Sequence, residues 1–133
     1  MGKEAKINFA FRNLIPYFAS FFQISNLQTL NCMVIFNTTF LVSDKVYGSW
    51  MKWLREDYIP FMLESGTLSD VQAAKVLSDE VQEGTSVSVQ FRADDLATLQ
   101  LWRSKYEFKI QMNCVRKFGE EVLFFSTVLE VLL

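Results

Sequence analysis

The sequence contains no histidine. That removes every catalytic arrangement built on an imidazole base, Ser-His-Asp and Cys-His included, and every imidazole metal site. Cysteine is nearly as scarce. Cys32 and Cys114 are the two present, and neither lies in a C-x-x-C pair, so zinc knuckles and thioredoxin-like redox motifs are absent. One disulfide between them is open on spacing alone, but a cytosolic thiol reading is preferred. Only five glycines occur, in no phosphate-loop spacing. Positive charge is not in excess either: the net charge is -2 and the pI about 5.1. A nucleic-acid binder needs a basic stripe to neutralise phosphates, and none is seen.

Apolar residues, by contrast, are plentiful. Half of the 133 residues are hydrophobic and 15% are aromatic, which suits one packed domain and excludes whole-chain disorder. Residues 1–32 differ from the rest. Ile7 to Phe22 is apolar and aromatic, with Phe11, Leu14, Ile15, Phe18 and Phe22 at helical spacing. Arg12 and Pro16 interrupt it, and it is too short for a membrane span. Three readings stand: an appended helix, a membrane-surface helix, or an extension foreign to the domain, since Met33 opens the first strand. Residues 23–32 read as a linker, and residues 33–133 as the domain.

From Met33 the pattern is regular. Val34 to Val42 is a β-branched and aromatic run that predicts a strand. Ser43 can cap a helix from Asp44, with Val46, Trp50, Trp53, Leu54, Phe61 and Met62 at helical intervals. Pro60 should kink or end its last turn, and Gly66 stops it. Val71 to Val81 is a weaker strand, Glu83-Gly84 a turn, and Thr85 to Arg92 a strand with clean alternation. Asp94 or Asp95 caps a second helix with the stripe Leu96, Leu99, Trp102, Tyr106 and Ile110, closed by Gly119. Glu121 to Leu132 is the last strand. This β-α-β-β-α-β succession predicts a ferredoxin-like α+β sandwich, a four-stranded antiparallel sheet with two helices on one face, plus an N-terminal helical extension.

Such a sheet should be polar on the face without helices. The outer strands are instead apolar on both flanks. The expected helix-free face carries Ile35, Leu41, Val122, Phe124 and Val128, mixed with Asn37, Thr39, Ser88, Gln90 and Arg92. An apolar set of that size calls for cover, and a second copy packed sheet to sheet is the preferred cover over the chain's own N-terminal helix. The polar row Asn37, Thr39, Ser88, Gln90 and Arg92 reads as interface or small-molecule site, with the interface favoured. The acidic pairs Glu56-Asp57, Asp79-Glu80, Asp94-Asp95 and Glu120-Glu121 adjoin turns and helix ends and read as caps and solvated charge. No catalytic residue, metal ligand or cofactor is assigned, and the three tryptophans read as core.

Certain runs carry a resemblance: Ile35-Phe36-Asn37-Thr38-Thr39-Phe40, Trp53-Leu54, Tyr58-Ile59-Pro60, Glu83-Gly84-Thr85-Ser86, Val89-Gln90-Phe91-Arg92, and Asp95-Leu96 with Leu99 and Trp102. With Gly119, Val122, Phe125, Thr127 and Glu130 they resemble a family of short bacterial proteins, about 100 residues long, catalogued as a domain of unknown function. The resemblance runs from Met33 to the C-terminus and implies no activity and no catalytic residue. It departs where Tyr58 replaces a histidine of that family. The leading expectation is a cytoplasmic, uncharacterised homodimer that takes a small ligand between subunits. A cofactor-independent enzyme of the dimeric α/β-barrel type and a membrane-peripheral protein anchored by Ile7 to Phe22 are the rivals.

Overall fold

The structure, a computed structural model, describes residues 32–78 and 83–133. The apolar segment 7–22, the pair Asp79-Glu80 and the end of the expected 71–81 strand lie outside the described residues. Strand β1 (Val34–Val42) leads through a short 3-10 turn (Asp44–Val46) into helix α1, residues 47–63. Strands β2 (Ser69–Lys75) and β3 (Thr85–Ala93) follow, then helix α2, residues 96–118, and strand β4 (Val122–Glu130). The sheet is antiparallel throughout in the order β2-β3-β1-β4, which is the split β-α-β arrangement expected.

Local chemistry accounts for the boundaries. Ser43 Oγ accepts the Lys45 N–H at 3.3 Å before α1, and Asp95 Oδ1 accepts the Thr98 N–H at 2.7 Å before α2; each satisfies an amide that the first turn leaves without a helical partner. Asp95 rather than Asp94 is therefore the cap. Gly84 leads into β3 with φ of 97°, and a side chain there would collide with the Val42 carbonyl. β2 begins two residues before the expected Val71, and a register irregularity between Ser69 and Gln72 accompanies the left-handed Asp70.

The core lies between the sheet and the helices. Phe36, Phe40, Val42, Val89 and Phe91 of the central strands are 2% exposed or less, as are Trp50, Trp53, Leu99 and Trp102 from the helices. Phe40 is the hub. Its ring meets Trp50 at 5.2 Å and Tyr58, edge-on, at 5.4 Å, geometries that add to plain area burial.

Both helices are interrupted. α1 runs as Tyr47–Trp53, a π-turn at Leu54–Tyr58, then Ile59–Leu63; α2 runs as Leu96–Trp102, a π-turn at Arg103–Glu107, then Phe108–Phe118. In α1 the Ile59 N–H reaches back five residues to the Leu54 carbonyl, directly before Pro60, whose ring has no N–H to continue the ladder. Pro60 thus marks a widened turn inside α1 and does not end it. In α2 the extra residue shifts the inward stripe by one. Tyr106, expected in the core, is 38% exposed, and Glu107 takes the inward place at 7%. Among the described residues no helix is long and apolar enough to cross a membrane.

Candidate functional site

Among the described residues the helices cover only one face of the sheet, and the strand registers define what stands on the other. Ile35 lies between Arg92 and Leu129, Asn37 between Gln90 and Thr127, Thr39 between Ser88 and Phe125, and Leu41 between Ser86 and Leu123. Gln72 and Ala74 of β2 extend the rows of Gln90 and Ser88. The result is a polar band across the middle of the face with apolar ground on both sides.

Asn37 organises that band. Its Nδ2 donates to Thr39 Oγ1 and to Thr127 Oγ1, each at 3.2 Å, and its Oδ1 accepts from Ser88 Oγ at 2.5 Å. Gln90 Nε2 lies 3.5 Å from Ser88 Oγ, and Arg92 Nη1 donates to Met33 Sδ at 3.2 Å. Asn37 is only 9% exposed although, among the described residues, no helix covers it. Both N–H groups of its amide are used within the sheet, so the band can be covered without leaving Asn37 donors unmet. The structure brings Asn37, Thr39, Ser88, Gln90 and Arg92 together on this face, with Ile35 and Leu41 beside them.

Val122, Phe124 and Val128 are not there, and this corrects the expected assignment. Val122 pairs with Val42, Phe124 with Phe40 and Val128 with Phe36, so all three point to the helices; Val122 and Phe124 are core residues, and Val128 packs against that core. Leu123, Phe125, Thr127 and Leu129 occupy the open face instead. Alternation along β4 separates two sets of residues but does not say which set meets which side of β1. With large apolar groups in both, only the register decides. Phe125 and Leu129 are 49% and 45% exposed. β2 is exposed along all seven residues, on both of its sides.

A second polar cluster lies inside the core, where the sequence pattern does not disclose it. Thr38 and Ser126 face the helices from the middle of β1 and β4, and their hydroxyls are 2.8 Å apart. The buried Tyr58 hydroxyl bonds to Thr38, and burial pushes its pKa above the ordinary tyrosine value. Glu107 forms a bidentate pair with Arg103 through Nε and Nη2 and accepts from Gln111 Nε2 at 3.1 Å, while the Arg103 guanidinium lies 4.9 Å from the centre of the Phe36 ring. Thr38, Tyr58, Glu107, Cys114 and Ser126 border one small cavity of about 10 Å³. The signal available in the sequence was Thr38 on the apolar side of β1, opposite a serine in β4. Among the described residues no group of three or more histidine, cysteine or acidic residues is placed to hold a metal ion.

Sheet order, helix placement and the open face define a ferredoxin-like α+β domain. The sequence profile described as "Domain of unknown function (DUF4286)" matches residues 33–132, and the chain belongs to that family. Solved structures with the same fold include an EthD family protein of Bacillus halodurans, at 14% identity and a TM-score of 0.57 over 74% of this chain and 99% of that one. A dimeric ferredoxin-like protein from an uncultured marine organism is 15% identical, with a TM-score of 0.54 over 76% and 95%. A putative antibiotic biosynthesis monooxygenase of Bacillus cereus is 15% identical, with a TM-score of 0.52 over 75% and 93%. At these identities the likeness is one of fold. No curated protein matches the sequence.

Proposed function

We propose that the domain, residues 33–133, works as a cytoplasmic homodimer, two copies pairing through their open sheet faces, with residues 1–32 an extension to it. The observation that carries this is the make-up of the face. Ile35, Leu41, Leu123, Phe125 and Leu129 surround a polar band whose central amide is already bonded within the sheet. Apolar ground in water is unfavourable at about 25 cal/mol per Å². A two-fold axis lets one patch cover itself. One protein of like fold is described as dimeric.

The saturation of Asn37 favours a protein partner over a small molecule on this face. A ligand would have to compete with bonds that the sheet already makes, whereas a second sheet can lie across them. The cytoplasmic setting rests on the low cysteine content of the chain, two residues in 133. Light scattering coupled to size exclusion tests the proposal on the whole chain at micromolar concentration. A mass twice the 15.5 kDa of one chain is expected, and a single-chain mass at that concentration refutes the pairing.

A further inference from the structure

The helix side of the domain takes no part in the pairing of sheets, and it is not closed over. A groove of about 820 Å³ runs between α1 and α2, with Phe61, Leu63 and Ile110 as its apolar ground. Tyr106, 38% exposed, meets Phe61 edge-on at 6.4 Å and extends that ground. The two walls differ in charge. Glu56, Asp57 and Glu64 stand on α1, and Lys109, Arg116 and Lys117 on α2. Asp57 pairs with Lys117 across the groove at 3.9 Å, both half-exposed. Among the described residues Glu56 and Glu64 have no ion-pair partner.

We propose that this groove seats the chain's own residues 7–22, lying along it as a helix with Phe11, Leu14, Ile15, Phe18 and Phe22 turned to its apolar ground. The point of attachment suits this. Ser69, at the start of β2, pairs with Arg92, which pairs with Ile35, so the end of α1 and the entry to β1 lie at one end of the sheet. Residues 23–32 span up to about 33 Å when extended, enough to climb past a helix about 10 Å across. Phe22 therefore enters beside Leu63 and Glu64, and the segment runs parallel to α1. Arg12 is ten residues from Phe22, about 15 Å of helix, while Glu56 lies about 12 Å from Glu64 on α1. The two meet at one level. Handedness then sets the side. Arg12 lies about 100° around from Phe11, and with right-handed crossovers that flank faces α1 and its carboxylates. The reverse direction would set Arg12 against Lys109 and Arg116. Residues 1–22 carry Lys3, Lys6 and Arg12 against Glu4 alone, a balance that suits the acidic wall. A tether of ten residues also gives the segment an effective concentration on the order of millimolar, ahead of any free competitor.

Hydrogen exchange of the whole chain, read at the amides of residues 11–22, tests this, with ¹H–¹⁵N spectra reporting the groove. The Trp53 indole donates to Asn113 Oδ1 at 2.7 Å, and Asn113 lines the groove, so the Trp53 Nε1–H signal is a local probe. Exchange should be at least about tenfold slower than the rates of an unstructured chain. Phe18→Asp should abolish that protection, since burying one aromatic ring is worth at least about tenfold, and should shift Trp53 Nε1–H, Phe61 and Ile110. Arg12→Glu should weaken protection about threefold, and adding Glu56→Lys should restore it. The seat is overturned if the unaltered segment exchanges at unstructured rates, if Phe18→Asp shifts Ile35, Thr39 and Phe125 instead, or if Glu56→Lys gives no recovery. Protection that appears only with phosphatidylserine vesicles, or that rises with protein concentration, overturns it as well. Light scattering on Phe18→Asp should still give the mass of the unaltered chain, so the fate of the groove and that of the dimer are read separately.

Discussion

Phe125 and Phe124 are consecutive residues on opposite sides of the sheet, and substituting each should break a different thing. Phe125 is 49% exposed on the open face. A phenylalanine presents roughly 200 Å², so about 100 Å² remains for a partner to cover, or about 2.5 kcal/mol per copy at 25 cal/mol per Å². A two-fold interface doubles the effect. Phe125→Asp removes that contribution twice and sets a carboxylate against a dry surface. The dimer dissociation constant should rise by at least about a thousandfold, while far-UV circular dichroism stays that of the folded domain. Phe124 is 7% exposed and its ring packs, tilted, with its centre 5.7 Å from that of Phe40. Phe124→Ala should instead lower the free energy of unfolding by about 3–5 kcal/mol, the usual range for emptying a buried aromatic site. Sedimentation equilibrium measures the first effect and urea titration the second. Leu101→Asp is the control: Leu101 is 58% exposed on α2, away from the open face, and its dimer constant should not move. The reasoning fails if Phe125→Asp associates as tightly as the unaltered chain, or if Leu101→Asp disrupts association as much.

Three further outcomes follow from other parts of the fold. Gly84→Ala should destabilise the domain by at least about 1–3 kcal/mol in urea titration, because φ is 97° there and the new methyl meets the Val42 carbonyl. Glu107→Leu should lower stability by about 3–5 kcal/mol by depriving a buried guanidinium of its carboxylate, and adding Arg103→Met should restore most of that loss. The raised pKa of Tyr58 means that the unfolded chain ionises this phenol first. Its contribution is therefore constant below about pH 10 and declines as pH rises further. Unfolding midpoints from pH 8 to 11.5 should show that decline, and Tyr58→Phe should flatten it.

Much of this molecule is local chemistry that a reader of the chain can follow. Val34–Val42 has no breaker and is β-branched, and it is a strand over that whole span. Ser43 and Asp95 sit where short side-chain acceptors serve first-turn amides, and they cap there. In β3 the small polar residues alternate with Val87, Val89 and Phe91, so its two flanks are distinguishable, and the polar flank is the open one. The same logic is silent for β4, where Phe124 and Phe125 are equally apolar and each flank carries one small polar residue, Ser126 inside and Thr127 outside.

The amino-acid order alone thus determined the succession of elements, the ferredoxin-like class and half of the open face: Ile35, Asn37, Thr39 and Leu41 from β1, with Ser88, Gln90 and Arg92 from β3. Tertiary structure decided the rest. Cross-strand register assigned Val122, Phe124 and Val128 to the core, a matter that period-two alternation leaves symmetric. A single extra residue in α2 rotated Tyr106 outward and Glu107 inward, against a strict 3.6-residue repeat. The meeting of Thr38, Tyr58, Glu107 and Ser126 joins four positions far apart in the chain. Only the packing of both helices on the sheet makes them neighbours, because no local rule carries information across so many residues.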